Sequence, residues 1–132
     1  MNIRVIICTI AGLLAVALLI AFTPHQNFLP KGIVLPAKIT RAPISPDQVT
    51  IYNQAPSGDF TRLGDIHIEQ AFTVLNAQTK DLLIQKVKDM AASIGANGVI
   101  VTLLVPSKQL RPMIIFYGAA IYSPSQTTGS KK

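Results

Sequence analysis

Cysteine occurs once in this 132-residue chain, tryptophan not at all, and only 14% of the residues carry a formal charge. The lone Cys8 follows Val5, Ile6 and Ile7 near the start of an apolar run, so nothing after it can form an internal disulfide. Lipid attachment would call for a cysteine behind the run and after small residues, and Cys8 instead reads as a small hydrophobe. Nucleophilic catalysis lacks its parts. There is no Gly-x-Ser-x-Gly elbow, and His67 is the one histidine between residues 47 and 124. Phosphate-cradling loops are missing too, because Gly95-Ala96-Asn97-Gly98 follows an expected helix rather than opening one. These absences argue against an enzyme, and no cofactor is expected.

Acidic residues are also scarce, 6 against 12 basic ones, for a formal net charge of +6. The excess is unevenly placed. Between residues 47 and 124, Arg62, Lys80, Lys86, Lys88, Lys108 and Arg111 are balanced by Asp47, Asp59, Asp65, Glu69, Asp81 and Asp89. The surplus comes from Arg4, Lys31, Lys38, Arg41, Lys131 and Lys132, outside the part expected to fold. A nucleic-acid-reading surface would concentrate charge on one folded element, so none is expected; anionic lipid or envelope polymers suit these positions better.

What the chain has in abundance is an uncharged run that begins at Val5 and ends at Phe22. As a helix it would reach about 27 Å, close to the hydrocarbon thickness of a bilayer. It is longer than a secretory h-region, which favours an uncleaved anchor; a cleaved signal with Ala15 and Ala17 at the recognition positions is the alternative. The short head carrying Arg4 predicts a single-pass cell-membrane protein with its C-terminal domain extracytoplasmic, in the periplasm.

Four regions follow: an N-terminal transmembrane helix or uncleaved signal at 1–22, a proline-rich linker at 23–46, a globular domain at 47–124 and a disordered basic tail at 125–132. Pro24, Pro30, Pro36, Pro43 and Pro46 prevent helix propagation in the linker, which reads as an extended stalk, and the aliphatic patch Ile33, Val34 and Leu35 reads either as ordinary solvated linker or as a docking segment. In the domain, residues 48–52 alternate as a half-buried strand, Pro56-Ser57-Gly58-Asp59 is a turn, and a second strand covers 62–69. Thr79 or Asn76 caps a helix to about Ile94, with Leu83, Val87, Met90 and Ile94 on one face and Gly95 as its left-handed stop. Residues 99–105 read as a buried central strand and 113–122 as a last strand, where Gly118 marks a bulge or a close approach. The expected fold is α+β: a small β-β-α-β-β sheet with one helix packed on a face, preceded by an N-terminal transmembrane helix.

The phrases VTIYNQAPSGDFTRLGDI, AASIGANGVIV and IIFYGAAIY resemble the core shared by the RcsF-like outer-membrane stress sensors and the small YbjQ-like domains. In those families a helix exit of the Gly-Ala-Asn-Ala-Val type feeds the central strand, matched here by Gly95-Ala96-Asn97-Gly98-Val99, and the last strand carries a small-residue step, matched by Gly118-Ala119-Ala120. The resemblance implies a non-enzymatic, membrane-anchored envelope module that binds another envelope protein, as a sensor or a subunit of an assembly such as a secretion complex. This chain lacks both the lipidated cysteine and the stapling cysteines of RcsF. The alternative it implies is an oligomeric YbjQ-like ligand- or metal-binding domain, which leaves a homo-oligomer open.

One constellation bears on metal chemistry. Asp65, His67 and Glu69 are spaced two apart, so a strand sends all three to one face, where two carboxylates and an imidazole offer ligands for a divalent ion; the competing reading is the solvated face of an edge strand. His25 lies in the stalk. Tyr52, Phe60, Phe72, Phe116, Tyr117 and Tyr122 read either as core and cross-strand pairs or as a binding strip. Lys80, Lys86 and Lys88 read as a solvated helix face.

Overall fold

A computed structural model describes residues 29–108 and 111–126. The first element, β1 (Lys31–Pro36), is followed by a short 3-10 turn at Pro46–Gln48, and then by β2 (Thr50–Tyr52) and β3 (Thr61–Ala71). Helix α1 (Ala77–Ser93) leads into a hairpin of β4 (Gly98–Lys108) and β5 (Pro112–Tyr122), and a second 3-10 turn covers Pro124–Gln126. One mixed sheet contains every strand in the order β1-β3-β5-β4-β2, antiparallel throughout except where β2 runs parallel to β4.

The α+β class stands, with two corrections to the expected fold. The sheet has five strands rather than four, because Lys31–Pro36, read as part of the stalk, pairs antiparallel with β3 from Lys31 opposite Glu69 to Pro36 opposite Gly64. Prolines stop a helix but not an edge strand, and Pro30 and Pro36 bound this one. As for the expected transmembrane helix, among the described residues no helix is long and apolar enough to cross a membrane. The run 5–22 lies outside those residues, as does most of the tail, of which Ser125 and Gln126 sit in the second 3-10 turn.

Helix α1 starts where Asn76 accepts from the Thr79 amide at 2.9 Å, satisfying one of the free N–H groups of the first turn. It ends in a Schellman motif: the Gly95 amide donates to Ala92 and the Ala96 amide to Ala91, both at 3.0 Å, with Gly95 at φ +76°. A Cβ on Gly95 would stand 2.6 Å from the Ala42 carbonyl oxygen, because residues 41–44 wrap this helix end. The Ile44 amide donates to the Ala92 carbonyl at 3.0 Å, and the Arg41 guanidinium lies 3.6 Å over the Tyr122 ring. Linker backbone thus supplies partners the helix cannot find within itself.

The apolar stripe Leu83, Val87 and Ala91 packs on Leu63, Ile66, Ile68, Val99, Phe116 and Ala120, all buried. Small residues set the spacing. A Cβ on Gly32 would meet Met90 Sδ at 2.8 Å, and one on Gly118 would meet Val99 Cγ1 and the Phe116 ring at 2.8 Å, so the strands approach as close as bare backbone permits. Bulges shift the register between Arg62 and Gly64 and between Val101 and Leu103; the first tucks Leu63 into the core beside Gly64. At the helix exit, Asn97 donates to the Ser123 carbonyl at 2.7 Å and accepts from the Ser123 amide at 2.8 Å, a buried pair tying this turn to the end of β5.

Candidate functional site

Among the described residues α1 is the only α-helix, and it covers one face of the sheet. Strand alternation sends Ile66, Ile68, Gln70, Ile114 and Phe116 toward α1, and Asp65, His67, Glu69, Ile115 and Tyr117 to the opposite side. On that open side Ile33 is 57% exposed, Leu35 59%, Leu103 43% and Tyr117 40%. The register aligns them: Ile33 stands opposite His67, His67 opposite Tyr117, and Tyr117 opposite Leu103, one row running across four strands. Exposed apolar side chains therefore flank a column of polar groups on this face.

The structure brings Asp65, His67 and Glu69 together on this face of β3, as their spacing predicts. Two of the three side chains have neighbours of their own, Asp65 in Arg62 and His67 in Tyr117. Arg62 donates to the Asp65 carboxylate, which raises the guanidinium pKa above its ordinary value, first through the hydrogen bond and then through charge. The His67 ring lies 4.2 Å from that of Tyr117, and its Nε2 sits 3.4 Å from Glu69 Oε1, too far for a good hydrogen bond. Nε2 is buried and has no hydrogen-bond partner. Among the described residues no group of three His, Cys, Asp or Glu side chains is arranged to hold a metal ion.

The aromatic residues do not form one strip. Phe116 is in the core, Tyr122 carries Arg41, Tyr52 covers Gly98, and Tyr117 belongs to the open face.

A cleft absent from the sequence reading lies on the helix side, where α1 leaves the β4–β2 end of the sheet bare. It encloses about 560 Å³ between Ile84 and Val87 of the helix and Val101, Leu104 and Phe116 of the sheet, with Asp47 and Lys88 also in its wall. Lys88, expected on a solvated face, is therefore half-buried beside apolar carbon. One further interior feature escaped sequence reasoning: Gln70, 1% exposed, whose Oε1 has no partner. Its position in the strict alternation of β3 was the available signal.

These observations define a small α+β domain with a mixed sheet, one covered face and one open face. No protein-family model matches the chain. No curated protein matches it. Among solved structures, the Francisella virulence factor FvfA, in its orthorhombic crystal form, is similar: 21% identity over 69% of this chain and 96% of that one, with a TM-score of 0.52. At that identity the likeness is one of fold.

Proposed function

We infer that this chain is a non-enzymatic module of the cell envelope, tethered through the apolar leader at 5–22, whose folded domain binds another envelope protein through the open face of its sheet. The observation that carries this reading is the row Ile33, His67, Tyr117 and Leu103, apolar at both ends and left bare by α1. A face of this kind leaves apolar area in water at roughly 25 cal/mol per Å², a penalty that association removes. Resemblance to the RcsF-like sensors supports the envelope setting, and the fold is similar to that of the Francisella virulence factor FvfA. The polar column of Asp65, His67 and Glu69 lends the face directional contacts, so a complementary partner is distinguished from a merely greasy one.

The test is site-specific photocrosslinking in intact cells, with a photoreactive residue in place of Tyr117 or Ile33 and a control in place of Ser57 in the exposed loop. The expected result is one envelope protein attached at both open-face positions and absent from the control. A cytosolic adduct, or equal labelling from Ser57, would overturn the reading.

A further inference from the structure

We propose that two copies of this chain pair edge to edge through β4, antiparallel about a two-fold axis at Leu104. This surface runs along the strand edge and shares only Leu103 with the row centred on Tyr117, and the pairing needs neither the membrane tether nor the envelope partner.

The inference starts from a mismatch in strand length. β4 runs Gly98–Lys108, but β2 covers its outer edge only at Gly98, Val99 and Ile100. Among the described residues no strand pairs with that edge from Val101 onward. Unpaired edges are ordinarily blunted by charge, shortness or a covering element. The other edge of the sheet follows this rule: β1 is short, opens with Lys31 and closes with Pro36. The free part of β4 is blunted only at its two ends, by the bulge at Thr102 and by Pro106, and not between them. Its residues 101–107 carry no charge, and Leu103, Leu104 and Val105 are 43%, 54% and 38% exposed.

What favours a second copy as the occupant is the order of side chains along this edge. Residues directly opposite each other in an antiparallel pair share a face, so a two-fold axis must pass through a residue position. Leu103 and Val105 lie on the open face with Tyr117 and Ile115, whereas Leu104 lies on the helix side with Phe116. An axis at Leu104 sets Leu104 against its own copy and Leu103 against Val105, matching the most exposed aliphatics face for face. It also sets Pro106, which has no N–H, opposite Thr102, the residue skipped where β4 bulges against β5, so both irregular positions fall together at the ends of the contact. An axis one residue later would put Leu104 against Pro106. Charge is no obstacle, because an uncharged edge meeting its own copy generates no like-charge contact. Each Leu104 would also extend the apolar floor of the other copy's 560 Å³ cleft, adding side-chain packing to the ladder. Such a contact is isologous and closed, giving a dimer rather than a fibre.

The experiment uses the full chain in mild detergent with Cys8→Ser as the background. Oxidation of Leu104→Cys should convert most of the protein to a covalent dimer, and Ile33→Cys on the opposite edge should stay monomeric. Leu104→Lys should weaken self-association at least about tenfold in light-scattering mass measurements while the melting transition stays in place. Three outcomes overturn the proposal: a monomeric parent at tens of micromolar, a dimer indifferent to Leu104→Lys, which would assign association to the leader, or equal crosslinking from Ile33→Cys. A monomer whose position 104 crosslinks to a different protein in cells overturns it as well and assigns the edge to a foreign strand.

Discussion

The two faces of the sheet draw on much the same aliphatic and aromatic residues and end in opposite environments. Toward the helix, Leu63, Ile66, Ile68, Ile114 and Phe116 are buried against a stripe whose innermost members are the small Ala91 and Ala92. On the other side Ile33, Leu35, Leu103 and Tyr117 meet water. The difference lies in what covers them rather than in hydrophobicity: one α-helix is available among the described residues, and Gly32, Gly64 and Gly118 let it and the neighbouring strands settle closely on one side. Stability is therefore concentrated on the covered face, and the open face is free to be selected for recognition.

The sharpest way to break this contrast is to overfill or hollow the covered side. Gly95→Val forces a β-branched side chain into a left-handed backbone against Ala42 and should cost about 3 kcal/mol, read as a loss of denaturant midpoint. Leu63→Ala, at a fully buried site, should cost a similar amount, about 3 kcal/mol. Asn97→Ala strands the amide and carbonyl of Ser123 and should cost about 2 kcal/mol by the same measurement. Gln70→Met should run the other way and raise stability by about 1 kcal/mol, because it removes an orphaned buried oxygen while keeping the side-chain length.

Substitutions on the open face should barely register in unfolding. Tyr117→Ser should change stability by less than about 1 kcal/mol, the scale of its stacking on His67, yet abolish photocrosslinking from Ile33. A destabilisation as large as that of Leu63→Ala would show that the two faces are energetically alike. The smallest expected effect concerns metal. Micromolar zinc should leave the melting temperature unmoved, since Arg62 already occupies the Asp65 carboxylate. A rise that disappears in His67→Ala would turn the polar column into a metal site.

Legibility in the sequence followed how local the cause was. The cap at Asn76, the apolar stripe of α1 and the left-handed stop at Gly95 all depend on neighbours within one or two turns, and each could be read from spacing. The period-two placement of Asp65, His67 and Glu69 on one face was equally readable. Their engagement by Arg62 and Tyr117 was only partly so: Arg62 is three residues from Asp65, but Tyr117 arrives from another strand. The first strand went unread because its prolines mask it as linker, although Ile33, Val34 and Leu35 between two prolines were the available clue. The cleft was invisible, since it results from where a helix stops covering a sheet.

By itself, then, the sequence determined the class of the fold, the helix and its ends, the long strands and the column of polar side chains, because short-range sterics and alternation act on adjacent residues. Tertiary structure alone decided that linker backbone joins the sheet, that β2 falls short of β4, and which face and edge the described residues leave bare. Those outcomes depend on hydrogen bonds between residues far apart along the chain and on how much surface a single helix can cover, and no local pattern records either.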